Sequence, residues 1–130
     1  MKRRIRIVSI PVDPSKLQDE LNRFGRAAFL LTVNDDHTSH VAHMTFRFQE
    51  GALYCPISKT AARNVQARPK VVLLWPPHEN NGYSMIVDGE CGVEDEELKV
   101  VPTSGVLHRP ATPEASGELD GGNDCAPLGS

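Results

Sequence analysis

Apolar residues recur along the chain with two periods, and the switches between them mark its elements. Leu17, Leu21 and Phe24 are spaced as on one helix face, after an Asp13-Pro14 pair that sets a capping carboxylate before proline at the first helical position. Gly25 is a natural C-terminal stop. Residues 26–33 (RAAFLLTV) are apolar almost throughout, which predicts a strand buried on both faces, and the polar NDDHTS that follows predicts a hairpin turn. Over residues 39–48 the period becomes two. His40, Ala42, Met44, Phe46 and Phe48 share a mostly apolar face, and Ser39, Val41, His43, Thr45 and Arg47 share the other.

Glu50-Gly51 turns the chain into a strand over residues 52–57, which runs into a Ser-Lys-Thr turn and a short helix ended by Pro69. Residues 70–75 (KVVLLW) predict another strand, and Pro76-Pro77 must leave the sheet because proline cannot donate to a ladder. After the polar HENNG loop a strand is expected over residues 83–87, with Asp88-Gly89 a bend or bulge. An acidic turn over residues 94–97 and a last strand within residues 98–107, interrupted near Pro102, complete the set, and a short first strand is expected around residues 5–10. So many short strands predict a mainly β fold, an antiparallel barrel of about six strands, closed or nearly closed, with short flanking helices.

From Pro110 the composition turns to Pro, Gly, Ser and acid with little to bury. This predicts one barrel domain over residues 1–109 and a tail over 110–130, disordered or draped over the barrel or a partner subunit. A chain of 130 residues and 14.3 kDa has room for one core and not for a two-domain enzyme. Fourteen Lys+Arg against 17 Asp+Glu leave a formal charge of −3, which gives no basic field for nucleic acid or an anionic membrane. Cys55, Cys91 and Cys125 are odd in number and form no Cys-x-x-Cys, which argues against a disulfide framework or a zinc site. The basic start is followed by an apolar run broken by Arg6 and stopped by Pro11, unlike a signal peptide, and no run approaches the about 18 apolar residues of a membrane span. A soluble, cytoplasmic protein is expected.

Candidate chemistry centres on the turn after the third barrel strand. Ser58 and Thr60 supply hydroxyls, Lys59 and Arg63 supply charge one helical turn apart, and the first N–H groups of a helix lack partners, so the turn can hold a phosphate. The same residues also read as an N-cap and an ordinary solvated face. His37, His40 and His43 are spaced three apart, but on a strand His40 and His43 point to opposite faces and His37 lies in a turn, so no metal site is expected. Cys55 reads as a small buried hydrophobe. His108-Arg109 reads either as an anion-binding pair or as surface, and no Ser-His-Asp set, Walker loop or dinucleotide Gly motif is present.

The order of these elements, with the strings TAARN from Thr60, LLWPP from Leu73, YSMIVDG from Tyr83 and VLHRPA from Val106, resembles the pyridoxamine 5′-phosphate oxidase-like superfamily of flavin-binding split barrels. The likeness covers about residues 15–111 and is nearest to the small actinobacterial-type members. It implies a homodimer with a flavin in a groove between two barrels, the phosphate held at positions matching Ser58, Lys59, Thr60 and Arg63. It also makes His43, Met44 and Thr45 candidates for the flavin ring; Trp75 either stacks on a ring or covers the barrel mouth. FMN is the implied cofactor, with a deazaflavin coenzyme as the alternative, and a flavin-dependent oxidoreductase acting on a small-molecule substrate is the implied function. A non-catalytic flavin- or haem-binding module on the same barrel is the alternative. The sequence departs from the superfamily's best-known enzyme in two places. No counterpart of its product-recognising Arg- and His-bearing C-terminal motif is found, which argues against pyridoxamine phosphate oxidation, and small residues, Ala61 and Ala62, replace a basic residue of the phosphate turn. A nucleic-acid-binding barrel would need a basic face with interleaved aromatics, and the chain has four Phe, two Tyr and one Trp on a slightly acidic background.

Overall fold

The computed structural model describes the backbone of residues 5–113 and the side chains of residues 9–110. Eight strands, all antiparallel, form a single curled sheet, two more than the sequence pattern suggests. They are β1 (Ile5–Val12), β2 (Ala27–Val33), β3 (Ser39–Thr45), β4 (Arg47–Gln49), β5 (Ala52–Pro56), β6 (Lys70–Trp75), β7 (Ser84–Glu94) and β8 (Glu97–Pro113). Two short helices, α1 (Leu17–Phe24) and α2 (Lys59–Ala67), flank the sheet. Neighbours run β3-β2-β6-β7-β8-β5-β4, with β1 paired to β8. The sheet closes through the chain itself: residues 39–49 are continuous, pairing with β2 before Phe46 and with β5 after it. At the break Phe46 is buried and its N–H donates to the Arg26 carbonyl at 2.9 Å.

Long β8 organises the barrel. One edge pairs with β7 from Glu97 to His108, while the other is shared by β5, up to Val100, and β1, from Gly105. Pro102 falls between those two partners, where a missing donor breaks no ladder on that edge, so the strand is not interrupted there as the sequence suggested. Instead β8 carries one extra residue: Asp88 faces Ser104 and Gly89 faces Pro102, leaving Thr103 as a bulge. Gly89 has no room for a side chain, since a Cβ would lie 2.8 Å from both Val100 Cγ1 and the Val101 carbonyl oxygen. The bulge therefore falls opposite Asp88-Gly89, where the sequence places a bend or bulge, with the extra residue on β8, and β7 runs on past it to Glu94.

Two hairpins turn on two residues with positive φ, Glu50-Gly51 (49° and 81°) and Asp95-Glu96 (52° and 63°), the geometry that suits strand twist. β1 extends through Pro11, which an edge strand tolerates. Residues 110–113 of the segment expected to be a tail belong to β8, whereas residues 114–130, including Cys125, lie outside the described residues, as does the basic start before Ile5.

The interior is filled from every strand's inner face, with Leu30, Leu53, Leu73, Met85, Leu98 and Val100 all at 0% exposure. α1 adds Leu17 and Leu21 at one end of the barrel. There the C-terminal end of β6 meets it, since Trp75 donates its indole N–H to the Gly25 carbonyl at 3.0 Å. α2 adds Ala61 and Val65 at the other end, near the start of β6. Among the described residues no helix is long and apolar enough to cross a membrane.

Candidate functional site

The helix after β5 is anchored on one side and open on the other. Ser58 caps it from an extended backbone, its hydroxyl oxygen accepting from the Ala61 N–H at 3.4 Å. Buried Asn64 donates from Nδ2 to Thr32 Oγ1 at 3.0 Å and to Asn34 Oδ1 at 2.9 Å, while its Oδ1 is buried without a partner among the described residues. Arg68 reaches back from the C-terminal end to the Val33 carbonyl at 3.0 Å and Asp35 at 2.7 Å. Both anchors grip β2 and its following loop, thirty or more positions earlier in the chain.

With α2 fixed this way, Lys59 and Arg63 are exposed and Thr60 is half-buried. Neither cation makes an ion pair among the described residues. The backbone N–H groups of Lys59 and Thr60 have no partner there either, being too early in the helix for an intrahelical acceptor. This donor set, two amides, a hydroxyl and two cations, suits a phosphate monoester. Of the four phosphate candidates, Ser58 already has a capping role.

The β3 candidates separate by face. His43 and Thr45 point outward and are exposed, whereas Met44 points inward and packs against the core. The His43 ring stacks on Phe29, centroids 4.4 Å apart and planes 18° apart. Trp75 is 1% exposed, with Phe46 6.4 Å away centroid to centroid. Its ring is therefore core and offers no face to a ligand, which corrects the stacking role considered for it. A large aromatic beside two prolines gives no sign in sequence of which way it turns.

Strand register sets two rows across the outside of the sheet. His43, Phe29, Leu74, Ile86 and Val106 lie opposite one another in turn, and Val41, Leu31, Val72, Asp88 and Ser104 form the next row. The first row is apolar apart from His43, and Val41 in the second is 53% exposed. Over the second row opens a groove of about 620 Å³, where Ser104 Oγ donates to Asp88 Oδ2 at 3.0 Å. So the outer face of β2 is half-exposed, not buried as its sequence predicted.

A further cleft, about 450 Å³, lies at the C-terminal end of α1 between Arg23, Phe24, His78, Tyr83 and Arg109. Cys55 and Cys91 offer no reactive thiolate: burial raises the thiol of Cys55 to about 12 and that of Cys91 to about 11, so neither forms an appreciable thiolate at neutral pH. Among the described residues no three His, Cys, Asp or Glu side chains gather as metal ligands.

No family model matches the sequence. Two curated relatives, uncharacterised proteins of Mycobacterium bovis and Mycobacterium tuberculosis, are each 33% identical over 105 residues, covering 68% of this chain and 74% of theirs. Among solved structures, a Listeria innocua protein assigned provisionally as a pyridoxamine 5′-phosphate oxidase matches at TM-score 0.62 and 18% identity, covering 72% of this chain and 96% of its own. The FAD binding protein of Mycobacterium smegmatis matches at TM-score 0.57 and 22% identity, over 78% of this chain and all of its own (100%). An F420 reductase matches at TM-score 0.52 and 20% identity, over 62% of this chain and 88% of its own.

Proposed function

Because the chain belongs to the same family as the two mycobacterial proteins and has the fold of the pyridoxamine 5′-phosphate oxidase-like split barrels, we propose that it is a flavin-dependent oxidoreductase working as a homodimer. The observation that carries this reading is the start of α2, where Lys59 and Arg63 and the N–H groups of Lys59 and Thr60 stand without partners among the described residues. In this reading they hold the cofactor phosphate, with the Thr60 hydroxyl as a further donor.

The outer rows supply the rest. A face as apolar as Phe29, Leu74, Ile86 and Val106 is expected to be covered, and a second copy of the chain would cover it. His43, held flat by Phe29, and Thr45 would line the edge of the resulting groove, next to the open side of β3, which pairs with β2 alone. Met44 would contribute backbone groups only. A bound flavin supplies hydride transfer, so the protein's tasks are to clamp the phosphate, orient the ring and exclude water.

FMN is the first choice of cofactor. A deazaflavin coenzyme is the second, favoured by the match to an F420 reductase. Calorimetric titration with each cofactor, on the protein and on a Lys59→Ala/Arg63→Ala variant, tests both. One of them should bind, and the variant should bind it about a hundredfold more weakly, since each charge-assisted hydrogen bond is worth roughly 1.5–3 kcal/mol and the two losses overlap. Binding of neither cofactor overturns the reading. Binding without any substrate-dependent change in cofactor oxidation state would make the barrel a carrier instead.

A further inference from the structure

We propose that the cleft at the C-terminal end of α1 is a second ligand site, one that takes a small planar aromatic molecule bearing a carboxylate. Its walls are built by two guanidinium groups, each lying against an aromatic ring. Arg109 sits 5.1 Å from the centroid of Tyr83, and Arg23 sits 5.8 Å from that of Phe24. A guanidinium held by its face leaves its N–H edge free to meet a carboxylate in a two-bond fork.

The floor between the two walls is fixed by the backbone. The carbonyls of Phe24 and the C-cap Gly25 at the end of α1 lack helical partners, and Trp75 at the end of β6 and His78 in the loop after it satisfy them. Trp75 donates to Gly25 O at 3.0 Å, and His78 lies 3.2 Å from Phe24 O. A carbonyl only accepts, so His78 carries its proton on Nε2, and its ring meets Phe24 edge-on at 6.0 Å. The loop then tightens, Gly82 N–H donating to Glu79 O at 2.9 Å, and delivers half-buried Tyr83 to the opposite wall. Three rings therefore face a space of about 450 Å³, within the range that holds a small ligand.

The charges favour an anion. Arg23 is shared with Glu20 at 2.9 Å, and Glu79 also lines the cleft, while Arg109 makes no ion pair among the described residues. Arg109 is thus the main anchor and Arg23 a partly committed second. The register also separates this cleft from the start of α2. Arg109 follows His108, which faces Ser84 at the open end of the β7–β8 hairpin, whereas β5 leads into α2 beside Glu97, at the turn end of that hairpin. The site does not rest on the flavin reading.

The test is an NMR titration of backbone amides in the full chain with 2-naphthoate, alongside 2-naphthol, which keeps the ring without the charge, and acetate, which keeps the charge without the ring. Saturable shifts are expected at Arg23, Gly82, Tyr83 and Arg109 with naphthoate, at an apparent Kd about tenfold below that of either control. Arg109→Gln should raise the Kd by about tenfold and Arg23→Gln by less, while Lys59→Ala/Arg63→Ala leaves it unchanged. Naphthol binding as well as naphthoate, an unchanged Kd in Arg109→Gln, or shifts confined to the start of α2 would each overturn the proposal. Loss of FMN binding would leave it standing.

Discussion

On the inner side of β2, Ala28, Leu30 and Thr32 are buried by the barrel core and by α2; on the outer side, Phe29, Leu31 and Val33 are half-exposed although at least as apolar. The neighbouring β3 behaves differently, alternating between half-buried residues inside and exposed ones outside. A strand whose only buried face is the inner one has no need of Phe and Leu on the other side. The excess apolar character of the β2–β6–β7 exterior is thus the physical signature of a surface that the folded single chain leaves uncovered.

The strongest way to break this comparison is to truncate one residue on each face. Leu30→Ala opens a cavity in a filled interior and should cost about 2–5 kcal/mol, read by urea unfolding of a chain kept monomeric by dilution. Leu31→Ala, next in sequence and half-exposed, should cost roughly 1 kcal/mol or less under the same conditions because little apolar area is lost. At higher concentration the order changes. Leu31→Lys should shift sedimentation equilibrium toward the monomer, whereas a conservative inner substitution such as Leu30→Met should not. Equal costs for the two truncations, together with a monomeric wild-type protein, would remove the case for a covered outer face.

The contact between the inner face and α2 sharpens the comparison next. Thr32 is a buried polar residue on that face, and it is matched by Asn64. Asn64→Ala should cost roughly 1–3 kcal/mol, since buried Thr32 and half-buried Asn34 both lose a donor. It should also loosen α2 and weaken cofactor binding without touching Lys59 or Arg63. A fully stable Asn64→Ala would mean that α2 is held by Ala61, Val65 and Arg68 alone.

Parts of this arrangement were legible in the sequence because their cause is local. The period of two over residues 39–48, the Glu50-Gly51 and acidic hairpin turns and the Ser58 cap each depend on neighbours within a few positions. What escaped depends on distant partners. The bulge at Asp88-Gly89 is local, but the need for glycine at 89 shows only with Val100 and Val101 against it, and what Asn64 and Arg68 hold shows only where the loop after β2 reaches them. Trp75 looked able to stack on a ligand, but its N–H meets Gly25, fifty positions away. The cleft between Arg23 and Arg109 unites two ends of the chain that no local pattern connects.

The loop that joins the two β strands of this comparison offers the smallest effect. Asp36 accepts from Thr38 N–H at 3.0 Å and from Thr38 Oγ1 at 2.6 Å, and these two bonds hold its carboxyl below its ordinary value of 3.8. Because the folded state favours the charged form, the contribution is fully present above the ordinary value and is lost as pH falls through the lower, folded one. Asp13 stands in the same position, with Ser15 as its donor. Both groups are on the surface, where solvent screening keeps such contributions small. In an Asp36→Asn/Asp13→Asn variant the side-chain oxygens can still accept, but the charge is gone. Its melting temperature should match that of the wild type near pH 2, lie slightly lower near neutrality, and rise less steeply between about pH 2 and 5. A rise as steep as that of the wild type would locate the acid sensitivity elsewhere, at the Arg68–Asp35 or Arg47–Glu97 pairs that tie the β2–β3 loop to α2 and the start of β8 to β4.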